Sequence, residues 1–282
     1  MLFRIRHSLH YSYERPVFLE PMTLRLTPRQ DASQRLREHG LRVLEVPDGE
    51  THILDAEGSD AVVLWFHNER EKLSIEVEMV VETLRKNPFD WIITDEGLTR
   101  LPVTYSEMDV ASLVPSLSTD VAPTVRAWAQ GLSERSNHVT TDFLTCLADE
   151  IHDGFHHVGR PYGDPMRAEE TLETRTGACR DTALLFMAAC QSQGLAARFV
   201  SGYSMHHPPE VSEHELHAWA EVYLPGGGWR GYDPSLGLAV ADGHVVLAAA
   251  PDYRLAAPAS GSYRGTGVGS QMTYKVDLRV EK

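Results

Sequence analysis

The chain has 282 residues, 42% of them hydrophobic, and a formal charge of −14, long enough for two domains with cores of their own. No stretch approaches the ~18 uninterrupted apolar residues of a membrane span, residues 1–7 alternate like a strand and lack a signal-peptide apolar block, and the acidity disfavours nucleic acid and anionic membranes as partners. The three cysteines, Cys146, Cys179 and Cys190, are odd in number and widely spread, which argues against a disulfide framework and for a cytoplasmic, reducing location; oligomeric state is left open.

Residues 1–85 read as antiparallel strands. Apolar and polar residues alternate over 2–13, 23–26, 40–46, 61–68 and 73–84, separated by Pro, Gly, Asp and Asn, with a polar hairpin connection at 69–72. The expected arrangement is a β-sandwich-like domain. Residues 86–123 contain Pro88, Pro102, Pro115 and Pro123, several aromatics and few periodic runs, which predicts a packed linker with short helices. From Thr124 the period turns helical. Val125, Trp128, Ala129 and Leu132 mark one helix, and Phe143, Leu144, Leu147, Ala148 and Ile151 a second, opened by Thr140-Thr141-Asp142 as a cap. Residues 181–193 are apolar on every face and predict a helix buried on all sides, stopped at Gly194. Strands follow at 196–203, 217–224, 229–233 and 243–248, with a last one at 271–280. Residues 124–282 are therefore assigned to one core in an α+β chain. The glycine-rich stretches 226–228 and 261–269 lack a phosphate-loop context and read as turns.

Within that core, Cys179 sits where Thr176-Gly177-Ala178 opens into the buried helix, and is followed by His217 in His217-Ala218-Trp219 and by Asp233 in Tyr232-Asp233-Pro234. Only the thiolate is strongly nucleophilic, and free cysteine titrates near ~8.5. The first turn of a helix, with unpaired N–H groups and the positive dipole end, favours the anion. Cys, His and Asp in this order supply a nucleophile, a base and an orienting carboxylate. His217 and Asp233 fall on adjacent antiparallel strands joined by Pro225-Gly226-Gly227-Gly228. A two-residue turn at Gly226-Gly227 would put them on opposite faces, so a longer loop or a bulge is required, with Asp233 opposite or diagonal to His217.

Other residues are candidates for supporting roles. Trp219 faces the same way as His217, either covering the His217–Asp233 contact or serving as a core tryptophan. The Cys179 N–H is placed to stabilise an oxyanion, with Tyr162 and His157 as candidates for a second donor. Cys146 and Cys190 read as small hydrophobes. The histidine groups 152, 156, 157 and 206, 207, 214 lack zinc-site spacing, so neither a metal nor another cofactor is expected. The segment 204–216 is expected to form one wall of the substrate cleft.

The segments Gly177-Ala178-Cys179-Arg180-Asp181, Arg198-Phe199-Val200-Ser201-Gly202-Tyr203, His217-Ala218-Trp219-Ala220-Glu221-Val222-Tyr223 and Gly231-Tyr232-Asp233-Pro234 resemble the transglutaminase-like superfamily, a branch of the papain-like cysteine fold. Tyr11-Ser12-Tyr13, Pro16-Val17, Arg25-Leu26-Thr27-Pro28-Arg29 and Asn87-Pro88-Phe89 are similar to the β domain that precedes this core in bacterial members. The resemblance implies a papain-like core and a Cys179-His217-Asp233 site that acts on peptide or protein amides, as a peptidase or amidase, or as a transglutaminase if an amine takes the acyl group. Relatives also include members that have lost catalysis and would serve as binding modules. Arg180 departs from the pattern, in which Gln commonly follows the cysteine.

Overall fold

The computed structural model describes residues 1–160, 162–206 and 216–281. Six strands open the chain: β1 (Leu2–Leu19), β2 (Met22–Leu24), β3 (Gln34–Val43), β4 (Gly49–Leu54), β5 (Asp60–Trp65) and β6 (Arg70–Thr83). Alternation turns Phe3, Ile5 and Leu9 of β1 and Leu73, Ile75 and Val77 of β6 into one buried layer, where they meet Leu24 and Leu64 of the facing sheet. This is the expected sandwich of two antiparallel sheets.

Next come α1 (Glu107–Leu113), α2 (Pro123–Arg135), α3 (Thr140–Gly154), β7 (His156–His157), α4 (Ala168–Thr174), β8 (Thr176–Gly177) and α5 (Cys179–Ser192). The predicted linker is packed into the core around α5: Leu98, Leu101, Val103, Tyr105 and Leu113 are buried there. The Tyr105 hydroxyl accepts from the Ala196 N–H at 2.9 Å and donates to Tyr223 O at 2.8 Å. Helix α5 starts two residues before the predicted one. It stops at Gly194, whose φ of +82° and close approach to Val103 O leave no room for a side chain. Helix α3 differs from expectation at its start, where Val139 is the N-cap and no side chain caps it.

The remaining strands are β9 (Ala197–Ser204), β10 (His217–Leu224), β11 (Gly228–Asp233), β12 (Leu238–Ala239), β13 (His244–Ala250), β14 (Ala259–Ser260), β15 (Tyr263–Arg264) and β16 (Ser270–Glu281). A five-stranded sheet in the order β12-β11-β10-β9-β13 packs one face on α5, through Ala218, Ala220 and Val222. The chain then leaves the core. β14 pairs with β2, β15 with the end of β1, and β16 with β1 from Leu2–Glu281 to Tyr13–Ser270. Assigning everything to residue 282 to the core therefore needs correction, because both ends of the chain build the N-terminal sandwich. The alternation in β16 marks a half-exposed strand but says nothing about which sheet it joins.

The domains are stitched at β13 and β10. The buried side-chain amide of Gln34 donates to Val246 O and accepts from the Val246 N–H, both at 2.8 Å. Glu221 of β10 pairs with Arg29 of the sandwich at 3.0 Å and with Arg198 of β9 at 2.6 Å. Burial pushes the Glu221 carboxyl up, but the two guanidinium charges outweigh it and bring the pKa down to about 2. Among the described residues no helix is long and apolar enough to cross a membrane.

Candidate active site

Cys179 is the first residue of α5, reached through Gly177 and the N-cap Ala178. Asp181, fully buried one turn in, fixes this start: Oδ2 accepts from the Ala178 N–H at 2.8 Å, and Oδ1 from the Met166 N–H at 2.8 Å and Arg160 Nη2 at 2.5 Å. The carboxylate thus holds the helix opening against the segment that precedes α4. The first N–H groups of α5 have no carbonyl one turn back within the helix, and they lie at its positive end. The half-buried thiol looks into a cleft of about 370 Å³.

His217 opens β10 and Asp233 closes β11. The strands pair Ala220 with Tyr232 and Tyr223 with Trp229, so the loop is 225–227, longer than a two-residue turn, and His217 and Asp233 share a face in a diagonal relation. Gly226 makes that loop possible with a φ of +88°, at a point where a Cβ would meet Ile92 O at 2.3 Å. His217 Nε2 donates to Asp233 Oδ2 at 2.6 Å, which leaves Nδ1 free to serve the thiol of Cys179 across the cleft that both residues line. Burial acts to lower the His217 pKa, yet the charges of Asp233 and Cys179 and their hydrogen bonds raise it well above the ordinary imidazole value.

Asp233 has no exposed surface and is saturated with donors. Oδ1 accepts from Ser235 Oγ at 2.7 Å, the Ser235 N–H at 3.1 Å and the Leu236 N–H at 3.3 Å. Oδ2 accepts from His217 and from His244 Nε2 at 2.9 Å. Burial alone would push this carboxyl up; the His217 charge and the two imidazole hydrogen bonds hold it far below the usual carboxylate range. His244 is a member of the constellation that sequence reasoning missed. It stands at the start of an apolar strand, and only the three-dimensional order β11-β10-β9-β13 brings that end beside Asp233. The roles of Asp181 and Ser235 were likewise unread, although Asp181 ends one quoted motif and Ser235 directly follows another.

The supporting candidates divide. Trp219 is fully buried on the His217 side of the sheet, its ring 6.2 Å from the His217 ring and 5.0 Å from that of His244. It backs the imidazoles and does not line the cleft, so it is no substrate or oxyanion contact. Tyr162 is not among the residues that line the cleft: its side chain is exposed, and its hydroxyl donates to Met272 O at 2.8 Å. His157 does line the cleft with Cys179, carried on β7 beside β8. Arg180 runs over the cleft rim and donates to Tyr162 O at 2.9 Å. Of the two histidine groups, His152 donates from Nδ1 to Ser235 O at 3.1 Å, while His207 and His214, with most of the segment 204–216, lie outside the described residues. Among the described residues, His217, Asp233 and His244 are the one group of three or more whose potential metal-ligand atoms all lie within 4.8 Å of one another. Hydrogen bonds already engage those atoms.

Both domains wall the cleft. His157, Cys179 and His217 face it from the core, whereas Leu9 of β1 and Met272 and Tyr274 of β16 close it from the sandwich. The return of the C-terminal strand to the first sheet is what places those residues there.

The chain is similar to known proteins. Residues 126–234 match the Transglutaminase-like superfamily, and residues 3–82 match the Bacterial transglutaminase-like N-terminal region. Uncharacterized protein ML0607 of Mycobacterium leprae is 25% identical, covering 94% of this chain and 94% of its own length. Uncharacterized protein Rv2569c of Mycobacterium tuberculosis is also 25% identical, covering 98% of this chain and 92% of its own. Among solved structures, a protein of Cytophaga hutchinsonii described as "a Putative Cysteine Protease" superposes with a TM-score of 0.75 at 22% identity, covering 100% of this chain and 92% of that one. The fold and these matches agree: residues 126–234 form a transglutaminase-like core, and residues 3–82 the bacterial transglutaminase-like N-terminal region ahead of it.

Proposed function

We propose that the protein is a cysteine-dependent amide hydrolase acting on peptide or protein substrates through Cys179, His217 and Asp233. The observation that carries this reading is one imidazole hydrogen-bonded to a buried carboxylate at 2.6 Å, in the same cleft as a thiol on the first residue of a helix. The Cys179 thiolate attacks the amide carbonyl, and the first-turn N–H groups of α5 face the developing oxyanion. The His217 imidazolium gives its proton to the departing amine, leaving a thioester on Cys179. His217, now neutral, takes a proton from water as the water attacks the thioester; the acid is released and the thiolate–imidazolium pair is restored. Asp233 keeps the proton on Nε2 and the ring in its orientation.

Hydrolysis is preferred to amine transfer because water enters any cleft that admits substrate, whereas transfer requires the thioester to be shielded from it. The three cysteines are all free, which favours the cytoplasm as the working compartment for a reactive thiol. The test is product analysis on an activated peptide amide across a titration with a primary amine. Free acid should remain the main product. A ratio that falls steeply toward the new amide would make the protein a transglutaminase, and failure of both products to form with wild-type enzyme across a peptide library would remove the catalytic reading.

A further inference from the structure

One oxygen of Asp233 serves two imidazoles. His217 Nε2 and His244 Nε2 both bond Oδ2, at 2.6 and 2.9 Å, with the rings 6.0 Å apart between centres. An ionised carboxylate only accepts, so His244 carries its proton on Nε2 and its Nδ1 is a bare acceptor. That Nδ1 is buried with no hydrogen-bond partner among the described residues, and the side chain is 1% exposed. Its surroundings are tight: β13 is buried throughout, Trp219 stands edge-on to the ring, and besides Asp233 the titratable groups that act on it are His217 and His206. A leucine would fill such a place without an unpaired buried nitrogen, so packing does not account for a histidine here. The bond to Asp233 does. Burial holds the His244 pKa below its ordinary value, against the pull of Asp233, so this ring stays neutral while its neighbour is charged.

Resting on the reading of Cys179 and His217 as nucleophile and base, we infer that His244 is a positioning residue whose Nε2–H pins Asp233 Oδ2 toward His217, so that the charged Cys179–His217 pair forms. Ser235 and Leu236 hold only the other oxygen. Without His244 the carboxylate can rotate about that anchor, and its hold on the imidazolium weakens.

The test needs no substrate. The rate of Cys179 alkylation by iodoacetamide is measured against pH for the wild type, His244→Leu and His244→Gln, on protein whose thermal melts show it folded. Glutamine places an amide N–H about where Nε2 stands and cannot titrate, so it separates the hydrogen bond from the ring. In His244→Leu the onset of thiolate reactivity should move up by about one pH unit or more, toward that of a free thiol, while His244→Gln should stay near the wild type. An unchanged profile in His244→Leu, or an equal shift in both folded variants, would overturn the positioning role. If wild-type Cys179 reacts no faster than Cys146 at any pH, the Cys–His reading fails and this inference with it. A reactive wild type with an unshifted leucine variant overturns the inference alone.

Discussion

Replacing Asp233 by Asn removes the charge that keeps His217 protonated while preserving the side chain's volume. With Ser235, Leu236 and two imidazoles aimed at an acceptor, the amide nitrogen of Asn must face donors on at least one side. Activity on a peptide amide should fall by roughly 10²–10⁴-fold, less than in Cys179→Ala, which removes the bond-forming atom. The pH dependence of stability follows from the directions of the two shifts. Asp233, depressed, contributes stability that is present above its unfolded value of about 3.9 and lost as pH falls through the folded value. His217, raised, contributes stability that is present below about 6.5 and lost as pH rises through its folded value. The melting-temperature gap between wild type and Asp233→Asn should therefore be widest between about pH 4 and 6.5 and narrow on the alkaline side. A gap that grows with rising pH would reverse the assigned directions. Cys179, His217 and Asp233 were legible because each ends or begins an element with its own local signature. His244 was not, since nothing in an apolar strand says which carboxylate its first residue will meet.

Elements set the geometry through close backbone approaches. Gly202 lies opposite His217 on β9, and a Cβ there would stand 2.0 Å from Val245 O and 2.8 Å from the Trp219 ring. Gly202→Ala must push β13 or Trp219 away, and both back the histidines. The substitution should destabilise the protein by about 1–3 kcal/mol, the range of an overpacked core, and lower activity in the protein that remains folded. Wild-type kcat per folded molecule would show that this approach does not hold the site. The β10–β11 register was predictable as a constraint, because a shared face for His217 and Asp233 demanded a loop longer than two residues. The short strands β7, β8 and β12 and helix α4 escaped prediction. Elements this brief carry too few periods to be seen, and they exist because α5 and its sheet offer them partners.

Across the whole molecule, the sandwich and the core act as one unit at the cleft. Glu221 shares β10 with His217 and holds Arg29 of the sandwich. Glu221→Gln leaves Arg29 and Arg198 facing each other without their carboxylate, which should cost about 3 kcal/mol at neutral pH. The Glu221 contribution is present above its unfolded value of about 4.3 and fades as pH falls toward about 2, so urea midpoints of variant and wild type should converge in that window. A gap that persists unchanged through it would contradict the ion-pair account. At the cleft itself, Met272→Lys sets a charge against the wall supplied by β16. KM for peptide amides should change several-fold with kcat near the wild type, as for a residue that binds substrate without touching the reacting atoms. An unaltered KM would mean that substrate does not reach the sandwich. That wall was invisible in the sequence, since it depends on a strand more than 250 residues from its partner in β1.

The central claim is that Cys179 is an activated thiolate held by His217. The most direct measurement is peptide mapping after brief iodoacetamide treatment at about pH 5.5, where ordinary thiols are protonated. A single adduct on Cys179, lost from His217→Ala under the same conditions, is the predicted result. Comparable labelling of Cys146, Cys179 and Cys190, or a Cys179 that reacts equally well without His217, would contradict it.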